Sequence, residues 1–343
     1  MHCHCQIVPK DVLLRFARDR RLSRSRRKAF AAAARFEDEW RRGRSAQTRV
    51  ARAARMLLPN SGPLAGPPAI TVYDCRHATT LPGVPVTPAG KSADGTVLRA
   101  FEESMAVADF YRTVFDRNSV DDAGKTLMSS VHFGIGYNNA FWNGNQMTYG
   151  DGDGQIFVDF TRSTDVIGHE LTHGVTQFSA QFGYSDEAGG LNESISDVFG
   201  SMFRQWRARQ TVTQADWLIG RDVMGPAASA RGYTCLRDLS DPAAKHCLSP
   251  QITHFSQYRS GMDPHYSSGI ANLAFQKAAM AIGGRSWDTA GMIWYAALTG
   301  FPPWPTMKMK TFANRTRTLA KKLFSDHPSV AAAVHAGWAA VGL

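Results

Sequence analysis

The chain has 343 residues, of which 43% are apolar, so it is long enough to bury a core that serves two lobes and an additional segment. Its net charge of +10 suggests a nucleic-acid binder. However, residues 1–60 hold 16 Lys and Arg residues and only five acidic residues, whereas the rest of the chain holds 23 basic and 24 acidic residues. The basic charge therefore belongs to an N-terminal arm and not to the body of the protein. No run of about 18 apolar residues is present, so we expect no membrane partner.

The N-terminus begins Met1-His2-Cys3-His4-Cys5, without the basic, apolar and small regions of a secretory signal. We therefore expect either export by a non-classical route or a cytoplasmic location. The imidazoles and thiols of this segment are ligands for soft metals. Two interpretations stay open: a thiolate from Cys3 or Cys5 that contacts a bound metal, or a disordered terminus.

Within the arm over residues 1–60, residues 11–56 have a continuous helical pattern rich in Arg and Ala, in which Phe30, Ala33 and Trp40 recur at helical spacing. A nucleic-acid binder acting through residues 10–55 is one alternative for it, but no aromatic-interleaved motif is present, so we expect no specific nucleic acid. A linker rich in Pro and Gly follows, from Pro59 to Pro68, and marks a domain boundary.

Beyond the linker, residues 69–73 have the pattern of a strand and residues 98–116 that of a helix. Helical patterns dominate after Asp165, and the last of them carries Val330, Val334 and Trp338. The predicted organisation is a detachable helical arm over 1–60, a mixed α/β lobe over 61–183 and a mainly helical lobe over 184–343.

Five cysteines are too few, and odd in number, for a disulfide scaffold. Cys235 and Cys247 lie in one loop-rich stretch. They either pair in an oxidising compartment or remain two free thiols, and the sequence leaves both open. Cys75 lies in a strand-like run and is expected to be a small core residue.

One short motif carries chemistry: His169-Glu170-Leu171-Thr172-His173. Histidines at positions i and i+4 lie on one face of a helix and can reach one metal ion. The glutamate beside the first histidine points to the same region without binding the metal, as a general base requires. The pattern predicts a zinc site.

A third ligand comes from the helix that begins near Gly190. Glu193 lies about 200° around that helix from the core-facing Ile195. Asp197 follows one turn later and can accept the free N–H of a ligand histidine. Two imidazoles and one carboxylate leave a fourth position for water, which is the catalytic arrangement and not the structural one.

These residues resemble the thermolysin-like family of zinc endopeptidases, in which the third ligand lies in a Gly-x-x-Asn-Glu motif 20 residues after the second histidine. Further matching motifs follow in the family's order: Tyr137 to Gly144, Tyr149 to Gly154, Ile219 to Val223, Leu236 to Pro242 and His265 to Ile270. The resemblance implies an α+β fold, a two-lobed zincin. A mixed α/β N-terminal lobe and a mainly α-helical C-terminal lobe would flank the active-site cleft, preceded by a helical prosegment.

The resemblance also implies roles in the hydrolysis of internal peptide bonds. His169, His173 and Glu193 would hold one catalytic zinc ion, with Glu170 as the base. Tyr184 and His265 would donate hydrogen bonds to the oxyanion. The residues implied to bind substrate are Asn139, the Ala140 carbonyl, Arg237, and an apolar pocket of Phe157, Phe160, Val166 and Leu236. Such a pocket implies cleavage on the N-terminal side of bulky hydrophobic residues in protein or peptide substrates.

Two departures from the family pattern stand out. The acids of its paired calcium site correspond to Asp165, Arg204, Asp216, Leu218 and Arg221 here. Since Arg has no acceptor atom, calcium is doubtful, and we expect Arg204 and Arg221 to pair with nearby acids; a looser, uncompensated loop is the alternative. Ser260 replaces the acid that orients the family's histidine at His265, and Asp263 is a substitute if the loop is rearranged.

Ile7 to Leu14 resembles the start of the short prosegment of the protealysin-like branch. The arm is thus expected to be an intramolecular inhibitor that self-cleavage in the linker removes. Two rival functions were weighed. A zincin fold that has lost turnover is disfavoured by the intact Glu170, and a different peptidase family with the same short motif is disfavoured by the position of Glu193.

Overall fold

The computed structural model describes residues 5–36 and 66–343. The arm contains a short strand, β1 (Cys5–Gln6), and two helices, α1 (Lys10–Ala17) and α2 (24–36). Val12, Leu13 and Phe16 form the buried face of α1. Trp40 and the linker up to residue 65 lie outside the described residues, as do His2, Cys3 and His4.

The first lobe is built on a six-stranded sheet in the order β1-β5-β6-β4-β2-β3. Its strands after β1 are β2 (Ile70–Asp74), β3 (Val84–Val86), β4 (Leu127–Val131), β5 (Ala140–Trp142) and β6 (Met147–Tyr149). β4 runs parallel to β2 and β6, and the other pairs are antiparallel. Helix α3 (Gly95–Phe115) packs on this sheet, and the Asp94 side chain caps it by accepting from the Thr96 N–H. The arm thus contributes the strand at one edge of the sheet.

The second lobe is mainly helical. Helix α4 (Thr164–Phe178) connects the two lobes. The helices of the second lobe are α5 (Asp186–Arg207), α6 (Pro226–Ser229), α7 (Pro264–Ser267), α8 (Gly269–Ile282), α9 (Ala290–Thr299), α10 (Met309–Leu323) and α11 (Pro328–Ala339). Two short strands, β7 (Leu218–Ile219) and β8 (Arg237–Asp238), pair beside α5. In α11, Val330, Val334 and Trp338 are buried, as their spacing predicts.

Helices α4 and α5 pack closely because glycines face the contact. A side-chain carbon on Gly200 would lie 2.6 Å from the Asp165 carbonyl oxygen, and one on Gly168 would lie 3.0 Å from the Phe203 ring. Only glycine tolerates that approach, which brings the motif on α4 against the motif on α5.

The two-lobed α+β prediction is confirmed, as are the strand at 70–74 and the helix at 95–115. The arm has a helical break between Ala17 and residue 24, which the continuous pattern did not predict. The borders at residues 60 and 183 stay predictions. Within 5–36 and 66–343, no helix combines the length and apolarity needed to cross a bilayer.

Candidate active site

Three predicted metal ligands converge between α4 and α5. The Nε2 atoms of His169 and His173 are 3.0 Å apart. They lie 3.6 and 3.5 Å from the two carboxylate oxygens of Glu193. Ligands bound at about 2.0–2.1 Å to a tetrahedral zinc ion are about 3.3 Å apart, so the three side chains fit one such ion.

Two buried carboxylate oxygens support that assignment. Glu170 Oε1 and Glu193 Oε2 are fully buried and have no hydrogen-bond partner. The other oxygen of Glu170 accepts from the Trp142 backbone N–H at 2.9 Å, which aims the side chain into the site. Burial and the neighbouring Glu193 carboxylate raise the pKa of Glu170 well above its ordinary value in the metal-free chain. A zinc ion bound by His169, His173 and Glu193 would offset the negative charge of both carboxylates without taking Glu170 as a ligand, so the donor set suits zinc.

Partners on both sides orient the two histidines. Asp197 Oδ1 lies 2.9 Å from His169 Nδ1, and the same carboxylate accepts two hydrogen bonds from Arg237, at 2.7 and 2.8 Å. Asn192 Oδ1 and Ser196 Oγ each lie 2.9 Å from His173 Nδ1. The rings are therefore fixed with Nε2 toward the site.

Burial lowers the pKa of His173 to about 3, which keeps its imidazole neutral, as a metal ligand must be. Sequence reasoning missed Asn192 and Ser196. Both carried a signal, because Asn192 belongs to the Gly-x-x-Asn-Glu motif and Ser196 lies one turn after it.

The predicted oxyanion donors also lie next to Glu193. Tyr184 Oη donates to Glu193 Oε1 at 2.6 Å and is 3.4 Å from His265 Nε2. His265 Nδ1 lies 2.7 Å from Asp263 Oδ1. Asp263 thus supplies the orienting carboxylate, as the sequence allowed, while Ser260, which stands at the position of the family's acid, donates its hydroxyl to Asp186 at 2.6 Å.

Burial disfavours the charged form of His265, but Glu193 and Asp263 outweigh it and raise the pKa to about 9. In the metal-free chain the protonated ring is therefore favoured at neutral pH, and it can donate a hydrogen bond from each nitrogen.

Residues 6–8 of the arm lie across the site, with Gln6 in strand β1 and a bend at Ile7 and Val8. Strand β1 pairs with β5, and the Ile7 N–H donates to the Ala140 carbonyl at 3.2 Å. Asn139 brackets Val8: its Oδ1 accepts from the Val8 N–H at 2.9 Å and its Nδ2 donates to the Val8 carbonyl at 3.0 Å.

The carbonyls of Gln6 and Ile7, which belong to successive peptide bonds, are also bound. His265 Nε2 lies 2.6 Å from the Gln6 carbonyl oxygen, and Arg237 donates to the Ile7 carbonyl at 2.9 Å. The side chain of Ile7 is fully buried. The residues that the family resemblance assigns to substrate thus contact the arm.

The four predicted pocket residues are buried in the same hydrophobic cluster as Ile7; they are Phe157, Phe160, Val166 and Leu236. Phe157 lies at one side of this group, where its ring centroid is 6.5 Å from that of Phe16 and 6.2 Å from that of Phe30. Helices α1 and α2 therefore cover the pocket region from outside.

A second group of acids lies at the other end of the α4–α5 contact. Arg204 reaches Asp165 at 3.0 Å and both Asp216 and Asp222 at 3.4 Å. Arg221 pairs with Asp216 at 3.1 Å. The acids are therefore compensated by guanidinium groups, as the sequence predicts, and the alternative of an uncompensated loop is wrong.

Comparison with known proteins connects this geometry to a family. Residues 69–177 match the profile described as "Thermolysin metallopeptidase, catalytic domain", and residues 180–343 match "Thermolysin metallopeptidase, alpha-helical domain". "Extracellular metalloprotease" of Pectobacterium carotovorum subsp. carotovorum is 39% identical over 284 residues, 80% of each chain. "Protease PrtS" of Photorhabdus sp. (strain Az29) is 37% identical over 286 residues, 80% of this chain and 76% of that one.

A solved structure extends the likeness to the arm. The "Precursor of Protealysin, Metalloproteinase from Serratia proteamaculans" superposes with a TM-score of 0.83 at 35% identity, over 98% of this chain and 99% of that chain. The similarity therefore includes residues that precede the two matched domains.

The predicted compartment needs correction. The relative from Pectobacterium carries the name of an extracellular protein. This contradicts our expectation of a cytoplasmic location or of export by a non-classical route, and we withdraw it. The expectation rested on the lack of a signal pattern at the N-terminus, and such a lack does not determine a compartment.

Proposed function

The chain belongs to the thermolysin family of metallopeptidases and is a zinc-dependent peptidase, and from this premise we propose that it is made as a self-processing precursor. The mature enzyme would cut internal peptide bonds on the N-terminal side of bulky hydrophobic residues. One observation carries the proposal: residues 6–8 lie along β5 with their backbone bound as that of a substrate would be.

The assigned roles follow from these contacts. His169, His173 and Glu193 would hold a zinc ion, which when bound would supply Lewis-acid chemistry. Glu170 takes a proton from the attacking water and later delivers it to the leaving amine. Its unpartnered, buried Oε1 is the atom available for that transfer.

The other residues position the substrate and stabilise charge. His265 and Tyr184 donate to the oxygen of the scissile carbonyl as negative charge develops there. Arg237 and Asn139 hold the backbone on the leaving-group side. Ile7 supports the proposed specificity, because the residue that follows the bound carbonyl is apolar and completely buried.

Mapping the peptide bonds cut in denatured casein by the purified protein tests the specificity. We expect cuts before Leu, Ile, Phe and Val, with little dependence on the residue before the cut. Cuts that show no preference for an apolar residue after the bond would refute the proposed pocket.

The arm would act as an intramolecular inhibitor because residues 6–8 use the backbone contacts that a substrate would use. Ile7→Asp places a carboxylate in a fully buried position, which is costly and should expel the segment. We expect the freshly purified full-length variant to cleave a short fluorogenic peptide faster than the parent. Arg24→Ala, at an exposed position of α2, is the matched control. Equal initial rates for Ile7→Asp and the parent would contradict inhibition by residues 6–8.

A further inference from the structure

A second group of metal-ligating side chains lies apart from the zinc ligands. Cys235, His246 and Cys247 each offer one ligand atom, and these atoms lie within 4.8 Å of one another. Both cysteines are free and buried, and His246 is partly exposed. The catalytic chemistry described above uses none of the three.

The distance between the two sulfur atoms distinguishes a disulfide bond from two ligands of one metal ion. Cys235 Sγ and Cys247 Sγ are 3.6 Å apart, whereas bonded sulfurs of a disulfide are about 2.05 Å apart. Two thiolates on a tetrahedral zinc ion, each at about 2.3 Å, are about 3.8 Å apart. The pair is therefore spaced as two ligands of one metal ion.

The backbone holds the group in place. Cys235 and Cys247 face each other in a parallel bridge. The Leu248 N–H donates to the Cys235 carbonyl at 2.9 Å, and the Thr234 N–H donates to the His246 carbonyl at 3.0 Å. These bonds join two segments far apart in the loop, so the three side chains are brought together before any ion binds.

A neighbouring carboxylate completes the arrangement. Asp238 Oδ2 lies 3.3 Å from His246 Nε2, while its Oδ1 accepts from the backbone N–H and the hydroxyl of Ser240 at 2.7 and 2.6 Å. A fixed carboxylate against a ligand imidazole sets the orientation of the ring. Asp238 is outside the group of mutually close ligand atoms and is therefore a positioning residue.

We propose that Cys235, His246 and Cys247 form a second zinc site, with its fourth position open to water at the exposed edge of His246. Two thiolates and an imidazole are ligands that favour zinc over magnesium or calcium. Binding releases the proton of each thiol to solvent and moves no electrons. Because Cys235 directly precedes Leu236 and Arg237, the ion would fasten the segment that carries the pocket wall and the backbone-binding guanidinium.

Metal analysis of the dialysed full-length chain tests this site without an activity assay. We expect about two zinc ions per parent chain and about one in Cys235→Ser and in Cys247→Ser. Cys75→Ser is the matched control, since Cys75 is also a buried free cysteine but lies outside the group, and it should keep both ions. One zinc ion per parent chain, or no difference between parent and Cys247→Ser, would overturn the proposal.

An absorption spectrum of the parent tests the proposed site even if the variants fail to fold. After replacement of zinc by cobalt(II), thiolate ligands give a charge-transfer absorption in the near ultraviolet, which the His-His-Glu site cannot produce. We expect this band in the parent and in Cys75→Ser, and not in folded Cys247→Ser. Absence of the band from the parent overturns the proposal. So does a parent mass lower by two hydrogens with both cysteines blocked to alkylation, which would show a disulfide instead. Neither result depends on peptidase activity, so failure here is distinct from failure of the proposed function.

Discussion

Two groups of acids lie at the contact between α4 and α5, and the negative charge of each group is compensated in a different way. At one end, Glu170 and Glu193 are completely buried and each keeps an oxygen without a partner. At the other end, Arg204 reaches Asp165, Asp216 and Asp222. Buried carboxylates are unstable unless a cation compensates them. The first group takes that cation from solution, and the second takes it from the chain itself.

The difference separates function from stability. A guanidinium is always present and satisfies the acids permanently, but it leaves no position for a reactant. An ion held by three side chains leaves a fourth position open. Substitutions in the first group should therefore remove activity, and those in the second should change stability and ion dependence.

The largest effect is expected for Glu170→Gln. Loss of the proton acceptor should lower peptidase activity by roughly 100- to 10,000-fold, because a positioned general base contributes about that factor. The chain should also remain full-length, since self-processing needs the same base. Activity on casein, the chain mass and the zinc content are the measurements, and zinc should be retained. Glu102→Gln, on the exposed face of α3, is the control. Normal turnover by Glu170→Gln would refute the assigned base.

Arg204→Ala should be the most destabilising change in the second group. It leaves three acids without their shared partner, at a cost of roughly 2–4 kcal/mol, in the lower part of the range for broken ion pairs because the Arg204 side chain is 21% exposed. Thermal unfolding measured at pH 7 should show a lower melting temperature. Arg209→Ala, an exposed arginine just beyond the end of α5, should leave it unchanged. An unaltered melting temperature in Arg204→Ala would mean that the ion pairs contribute nothing.

A third compensated group uses a cation that titrates. His132 lies between Asp151 and Asp94, each at 2.9 Å. Its hydrogen bond to Asp151 raises its pKa from 6.5 to about 9, although burial opposes this. The folded pKa is above the unfolded one, so the stabilisation is complete below pH 6.5 and is lost as the pH rises through 9.

His132→Asn should abolish part of the decline in stability between pH 6.5 and pH 9, because asparagine carries no titrating charge. Asparagine also tolerates the positive φ of 53° at this position. The measurement is the urea midpoint of parent and variant between pH 6 and pH 9. Identical pH profiles would exclude His132 as the group responsible.

The smallest effect is expected for calcium added to the zinc-loaded parent, whose melting temperature should not change. Arg204→Asp would restore a carboxylate to the group and make calcium stabilising, because oxygen ligands then outnumber the remaining guanidinium of Arg221. A large calcium-dependent rise in the parent would show that the internal ion pairs do not replace the ions.

Local patterns predicted much of the site. The spacing of His169 and His173 follows from the helical repeat, and the family pattern placed Glu193 and Arg237. The pairing of Arg204 with Asp165 followed from the family's calcium-site positions together with the charge of the residues that stand there. Patterns did not reveal Asn192 and Ser196 as partners of His173, because a polar residue within a helix does not by itself indicate which side chain it contacts. The predicted compartment was wrong because that prediction rested on the lack of a signal pattern at the N-terminus.

By itself the sequence determined which residue types carry the chemistry, because ligand identity, helical periodicity and charge are local properties of the chain. Only the tertiary structure decided where distant segments meet. The pairing of residues 5 and 6 with β5, the contact of His265 with the Gln6 carbonyl, and the approach of Cys235 to Cys247 depend on how packed elements bring separate stretches together. Such contacts arise from burial of the whole core, and no short window of sequence contains that information.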